Sequence, residues 1–233
     1  MISPMTYQLY IGDRNFSSWS LRGWLMLEKF GLPFETNTVG LYSGTMAADL
    51  AHLAPAKTVP VLQTAEGHIL TDSLAMAETL VERHPEIDLY PRDPAARALA
   101  RSITAEMHSS FGSLRGDCPM MIRYCWKGFN PAQAVLDDLQ RIEKLWALAR
   151  ERHGTDGPWL FGAYSLADVF YAPVAMRITA YDLPVGKDAK DYVAKHLSDP
   201  AILSWRKTAS QEIHDPWPYP SELLRTAWPG DEN

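Results

Sequence analysis

The stretch Asn15-Phe-Ser-Ser-Trp-Ser-Leu-Arg-Gly-Trp-Leu25 follows a run of alternating aliphatic and aromatic residues, Tyr7-Gln-Leu-Tyr-Ile11, and puts two adjacent hydroxyls at the mouth of a helix. Leu21, Trp24, Leu25 and Leu27 recur at helical spacing and form a broad apolar face, while Arg22, Glu28 and Lys29 are expected to point outward. Gly31-Leu32-Pro33 ends the segment. A serine in this place has an ordinary use as an N-cap, stabilising a helix by about 1 kcal/mol. Ser17 and Ser18 together are more than a cap requires.

Outward from this strand and helix, the pattern continues. Phe34-Glu-Thr-Asn-Thr-Val39 reads as a strand, Met46 to Leu53 as a short helical patch, and Val-Pro-Val-Leu-Gln-Thr64 with His68-Ile-Leu-Thr71 as a strand pair turning at Glu66-Gly67. Leu74 to Arg83 reads as a helix. The order predicts a βαβ unit, a hairpin and a closing helix. Beyond Arg83-His-Pro-Glu-Ile-Asp-Leu-Tyr-Pro-Arg-Asp-Pro94 no strand is expected. Leu99, Ile103, Met107, Phe111 and Leu114 recur every three to four residues, as do Val135, Leu139, Ile142, Trp146 and Ala149. An α/β domain over residues 1–84 and an all-α domain over 94–233 are the expectation. The tail His214-Asp-Pro-Trp-Pro-Tyr-Pro-Ser-Glu-Leu-Leu-Arg-Thr-Ala-Trp-Pro-Gly230 is read as an irregular surface strap.

With 233 residues, 46% hydrophobic and 21% charged, the chain has ample material for two cores. A net charge of -6 provides no long-range field for nucleic acid or an anionic membrane, so any anion must be held by local groups. Two cysteines, Cys118 and Cys125, stand outside any ligand-spaced cluster and read as buried thiols; the seven histidines show no metal-ligand spacing, and no metal is expected. No basic segment followed by an apolar run opens the chain and no later stretch is long enough to span a bilayer, so a cytoplasmic protein is expected.

Two further motifs stand beside the serines. In Ala56-Lys-Thr-Val-Pro-Val-Leu62, Pro60 cannot donate to a sheet and belongs at a strand start or a bend. A cis Val59–Pro60 bond would turn the Val59 N–H and C=O outward, available to an extended peptide-like ligand. In the third motif Thr71, Asp72 and Ser73 crowd a helix start, where free N–H groups and the helix dipole suit a carboxylate and Asp72 can accept from an ammonium. Each motif also has a bland reading, a strand start or a cap.

The ordered set, strand, serine-bearing helix, strand, VP turn, hairpin, Asp-Ser helix start and helical domain, resembles the glutathione S-transferase family over essentially the whole chain. The "NFSSWSLRGWL" start is similar to bacterial serine-type members and to the "SSxS" element of the zeta class, which includes maleylacetoacetate isomerases. The resemblance implies a thioredoxin-like first domain and a helical second domain. Ser165 and Asp168 in "YSLADVFYAPV" then form the structural capping box that the family places on a buried helix.

The same resemblance implies glutathione as co-substrate. Ser17, or Ser18 in an alignment shifted by one, would donate to the sulfur; Val59 of the Lys57-Thr58-Val59-Pro60 turn would pair with the cysteinyl unit, and Asp72 with Ser73 would hold the γ-glutamyl end. Lys57 is read either as a partner of the glycyl carboxylate or as a solvated lysine. Asp72 stands where relatives often carry a longer glutamate or glutamine. Met107, His108, Phe111 and Arg115 are candidates for the electrophile site, beside the reading that this stripe is core with one solvated edge. Trp126 and the C-terminal tryptophans are possible caps of an apolar pocket.

A glutathione transferase acting on a small hydrophobic electrophile is the expected function. The alternatives are a cis-trans isomerase of the maleylacetoacetate type, for which Arg14, Arg115 and Arg123 are available to a diacid, and a non-catalytic interaction module. The family also implies a homodimer.

Overall fold

A computed structural model describes residues 6–154, 157–211, 214–216, 218–219 and 222–231. The chain forms two compact units, Met1–Ile87 with Ser204–Pro220, and Asp88–Leu203 with Ser221–Asn233. The segment Ser204–Pro220, which sequence assigns to the helical part, thus returns to the first unit.

In the first unit β1 (Tyr7–Ile11), β2 (Phe34–Thr38), β3 (Val61–Gln63) and β4 (Ile69–Leu70) form a sheet ordered β2-β1-β3-β4. Tyr7, Leu9 and Ile11 alternate into the core as a strand's two-residue period requires. β1 runs parallel to β2 and antiparallel to β3, with Tyr10 opposite Val61; β4 is antiparallel to β3, with Leu62 opposite Leu70. The end of β1, the start of β3 and the end of β4 therefore share one edge of the sheet. Three connections issue from that edge: the loop into α1 (Ser18–Glu28), the Val59–Pro60 turn and the loop into α3 (Ser73–Arg83). A short α2 (Met46–Asp49) follows β2.

Both Val59–Pro60 and Ala54–Pro55 are cis. Helix α1 approaches the first of these turns at Gly23, where an added Cβ would stand 2.9 Å from Pro60 Cβ; glycine is what lets helix and turn meet. The expectation that Arg22 points outward does not hold. It is buried, with its guanidinium 4.5 Å above the Trp19 ring, an attraction that offsets part of its lost hydration.

The second unit holds α4 (Pro94–Ser109), α5 (Gly112–Asp117), α6 (Gln133–His153), α7 (Leu166–Tyr181) and α8 (Lys187–Leu197), while α9 (Pro200–Gln211) spans the division between units. Asp93 caps α4 by accepting from the Ala96 N–H at 2.8 Å, and Pro94 occupies the first helical position. Helix α7 is apolar on nearly every face and correspondingly buried. Its capping box is formed: Asp168 Oδ2 accepts from the Ser165 N–H at 2.9 Å. Asp168 Oδ1 accepts from Tyr192 at 2.8 Å and from the Leu160 N–H at 3.1 Å. Cys118 and Cys125 are buried free thiols.

Two expectations are corrected here. The stripe from Leu99 to Leu114 is not one helix, because Phe111 adopts left-handed backbone angles (φ 61, ψ 44) between α4 and α5, and Asp138 of α6 accepts from the Leu114 N–H at 2.9 Å. The tail is not wholly irregular, since β6 (Leu224–Thr226) pairs antiparallel with β5 (Cys125–Lys127), adding a two-stranded sheet to a largely helical unit. Among the described residues no helix is long and apolar enough to cross a membrane.

Candidate functional site

The edge of the sheet where β1 ends and β3 begins gathers all three motifs. Ser17 is the N-cap residue of α1 by position, yet its side chain makes no capping bond. Its hydroxyl instead donates to Ser20 Oγ at 2.7 Å, and Ser20 Oγ also accepts from the Gly12 N–H at 2.9 Å. The Ser17 N–H is fixed by the Asp13 carbonyl at 3.0 Å, and its carbonyl starts the helical ladder with Leu21. Ser17 is 7% exposed; Ser18, the first helical residue, is half-buried. Capping therefore does not explain the Ser17 hydroxyl.

At the second motif, Lys57 and Thr58 are exposed and Val59 and Pro60 are buried. Among the described residues the Val59 backbone N–H and C=O find no hydrogen-bond partner. A backbone pair left open in the turn that leads into β3 is available to pair with an extended chain.

The third motif divides into two roles. Asp72 is the N-cap of α3, its Oδ1 accepting from Leu74 N–H at 2.8 Å and Ala75 N–H at 3.1 Å. Ser73 is 2% exposed, and its Oγ is buried with no hydrogen-bond partner among the described residues. An orphaned hydroxyl at a helix N-terminus is a place for an acceptor from outside the chain.

The residues expected around the electrophile lie in the second unit and are less uniform. Met107 is fully buried on α4, Phe111 is the buried break residue, and half-buried His108 faces Phe170 with ring centroids 6.2 Å apart. Arg115 donates to the carbonyls of Ser110 at 3.2 Å and His108 at 3.4 Å, closing the end of α4; burial lowers its pKa. Trp126 lies in β5 against Tyr124, Trp228 is buried, and Trp217 lies outside the described residues. A cavity of about 590 Å³ in this unit is lined by Trp146, Arg150, Lys187 and Tyr192. Its cations are engaged, Lys187 with Asp191 and Arg150 with the Pro158 carbonyl, and none of the three motifs reaches it.

Sequence reading missed Ser20, Asp13 and Asn15. Asp13 and Asn15 are buried, and the Asp13 carboxylate accepts from the Asn15 N–H at 2.8 Å and its Nδ2 at 2.9 Å. The available signal was the run of short polar side chains Asp13, Asn15, Ser17 and Ser20 between the apolar strand Tyr7–Ile11 and the apolar face of the following helix.

Comparison with known proteins bears on the same stretch. Residues 16–83 match the family model described as the glutathione S-transferase N-terminal domain. A maleylacetoacetate isomerase from Pseudomonas aeruginosa is 31% identical over 170 residues, 71% of this chain and 78% of that protein. A probable maleylacetoacetate isomerase from Caenorhabditis elegans is 38% identical over 96 residues, 41% of this chain; the match spans less than half, 44%, of that relative. A solved glutathione transferase homolog from Burkholderia with bound glutathione superposes with a TM-score of 0.64 at 25% identity, covering 89% of this chain and all of that one.

Proposed function

The chain belongs to the glutathione S-transferase family, and we propose that it binds glutathione along the β1–β3 edge and ionises its thiol for attack on a small hydrophobic electrophile. One observation carries this reading: Ser17 stands at the start of α1 with a hydroxyl that does not cap the helix. A free thiol, with a pKa of about 8.5, is only a few per cent ionised at neutral pH. Lowering that value by roughly two units requires about 2.7 kcal/mol of preference for the anion. A charge-assisted hydrogen bond supplies about 1.5 to 3 kcal/mol and a helix N-terminus about 0.3 to 1. Once the Ser17 O–H turns from Ser20 Oγ to the sulfur, the hydroxyl and the start of α1 together reach this value in the upper part of those ranges. Among the described residues no carboxylate or histidine bonds the Ser17 hydroxyl, so the serine stabilises an anion and does not act as a base.

Around that centre the other motifs divide the tripeptide. Val59 offers its open N–H and C=O to the cysteinyl unit, in the manner of an added strand. Ser73 takes the γ-glutamyl carboxylate on its orphaned hydroxyl, while Asp72 keeps the helix start in shape. Met107, His108 and Phe111 remain the candidate surroundings of the electrophile. Arg115 is the weakest member of that set, because its donors already serve α4. A cytoplasmic homodimer is the assembly that family membership favours.

Isomerisation of a maleylacetoacetate-like diacid is the second reading, supported by the Pseudomonas aeruginosa relative. In it the thiolate adds to a double bond, rotation follows, and the thiolate leaves. Retention on immobilised glutathione, then a thiolate absorbance difference spectrum for wild type and Ser17→Ala, tests the proposal. A thiolate band lost in Ser17→Ala supports it. No binding by wild type leaves an interaction module, and loss only in Ser18→Ala moves the role by one residue. Turnover of maleylacetone with none of an aryl halide selects the isomerase.

A further inference from the structure

The segment Ser204–Pro220 grips the loop before Ser17 at three successive residues. The Trp205 indole donates to the Arg14 carbonyl at 3.0 Å, Asn15 Nδ2 donates to the Ala209 carbonyl at 3.1 Å, and Asp13 Oδ2 accepts from the N–H groups of His214 at 2.8 Å and Asp215 at 3.0 Å. Asp215 then carries the connection onward. Its carboxylate accepts from the N–H of Leu41 at 2.7 Å, Tyr42 at 3.1 Å and Ser43 at 2.8 Å.

A carboxylate that is 3% exposed needs donors, and here three consecutive amides supply them. The arrangement dictates where the loop after β2 lies. The Leu41 side chain covers Gly12, where any Cβ would overlap it, and the Tyr42 ring packs on Phe16, the neighbour of Ser17, with centroids 5.7 Å apart. Tyr42 is 47% exposed, and its hydroxyl sits 3.0 Å from that of Tyr219 in the same C-terminal segment.

We propose that Asp215 is a positioning residue for the reaction at Ser17: it fixes the Leu41–Ser43 loop so that Tyr42 forms a wall beside the nucleophile against which the second substrate is held. The inference rests on the glutathione reading above and extends it to a residue far along the chain. Asp215 acts on substrate through Tyr42 and not through the thiol. Asparagine cannot replace it, because an amide group would turn its own N–H₂ toward at least one of the three N–H donors.

The test is a double-mutant cycle on the full-length protein with glutathione and chlorodinitrobenzene, using Asp215→Asn, Tyr42→Ala and the pair. Each single variant is expected to raise KM for the aryl halide about fivefold or more with the pH midpoint of the thiolate band unmoved, and the double variant is expected to add nothing further. If Asp215→Asn does not fold, Asp215→Glu takes its place, keeping the charge and shifting it by one methylene. An unchanged KM in Tyr42→Ala, or effects that add in the double variant, overturns the proposal. A wild type that forms no thiolate band removes the glutathione reading itself, and this inference with it; a normal wild-type band with unmoved variants removes the inference alone.

Discussion

Ser17 and Ser20 are joined hydroxyl to hydroxyl across 2.7 Å, one turn apart on the same helix. The bond holds Ser17 in one rotamer and leaves Ser20, fully buried, as acceptor for both Ser17 and the Gly12 amide. The two serines should consequently fail in different ways when replaced.

Ser17→Ala is expected to remove the thiolate band and lower kcat/KM by roughly 10- to 150-fold, the loss of one charge-assisted hydrogen bond. Ser20→Ala leaves the buried Gly12 N–H without an acceptor and is expected to destabilise the fold by about 1 to 3 kcal/mol. Thermal unfolding beside thiol titration separates the two. A Ser20→Ala variant that unfolds like wild type would contradict the assignment.

Asp72 and Ser73 should part in the same way. Removing the Asp72 cap is expected to cost about 1 kcal/mol of stability. Ser73→Ala breaks no bond within the described chain and is expected to leave the melting temperature unchanged or slightly raised, while KM for glutathione rises roughly five- to tenfold, the value of one hydrogen bond. Equal unfolding losses in both variants would show that the Ser73 hydroxyl is structural.

Gly23→Ala pits helix propensity against packing. Alanine gains up to about 1 kcal/mol in a helix interior. The new Cβ, however, would meet the rigid Pro60 ring at 2.9 Å, and such overpacking typically costs about 1 to 3 kcal/mol. Net destabilisation with weakened retention on glutathione is expected, because the Val59 turn must move away from α1. Chemical denaturation and affinity retention read the two effects.

Glu66 gives a pH prediction. The Arg83 guanidinium bonds it at 2.8 Å and holds its pKa down, from 4.5 to about 2. A carboxylate whose pKa is lower in the folded state adds stability that is complete above the unfolded value and disappears as pH falls through the folded one. Wild type should thus exceed Glu66→Gln in melting temperature at neutral pH, with the gap closing between pH 4.5 and about 2. The pair is exposed, so the gap should be small and shrink in high salt. A gap that widens on acidification would reverse the sign.

Much of the first unit was legible because its signals are local. Alternation in Tyr7–Ile11 matches β1 residue for residue, and the helical period before Gly31 marks α1 to within two residues of its observed end at Glu28. Ser165 and Asp168 declare their capping box by spacing alone. What escaped depends on partners remote in sequence. Arg22 reads as a surface charge until the surrounding core is in place, although its ring partner Trp19 is only three residues away, and the helix break at Phe111 depends partly on Asp138 of another helix. At the site, the hydroxyls of Ser17 and Ser73 were visible as residue types, but their freedom from capping duty is a matter of rotamer. Asp215 gave no signal, since its donors lie more than 170 positions upstream.

The discontinuity of the first unit bears on how the protein is made. Trp205 packs on Trp24 with ring centroids 5.2 Å apart, and the Asp13 carboxylate receives amides from His214 and Asp215. During synthesis, the amino-terminal sheet and α1 emerge with a tryptophan face uncovered and a carboxylate short of donors, and they stay so until Trp205, His214 and Asp215 have left the ribosome. Vectorial folding cannot finish this half of the molecule as it emerges: translated first, it waits on the distant segment Ser204–Pro220.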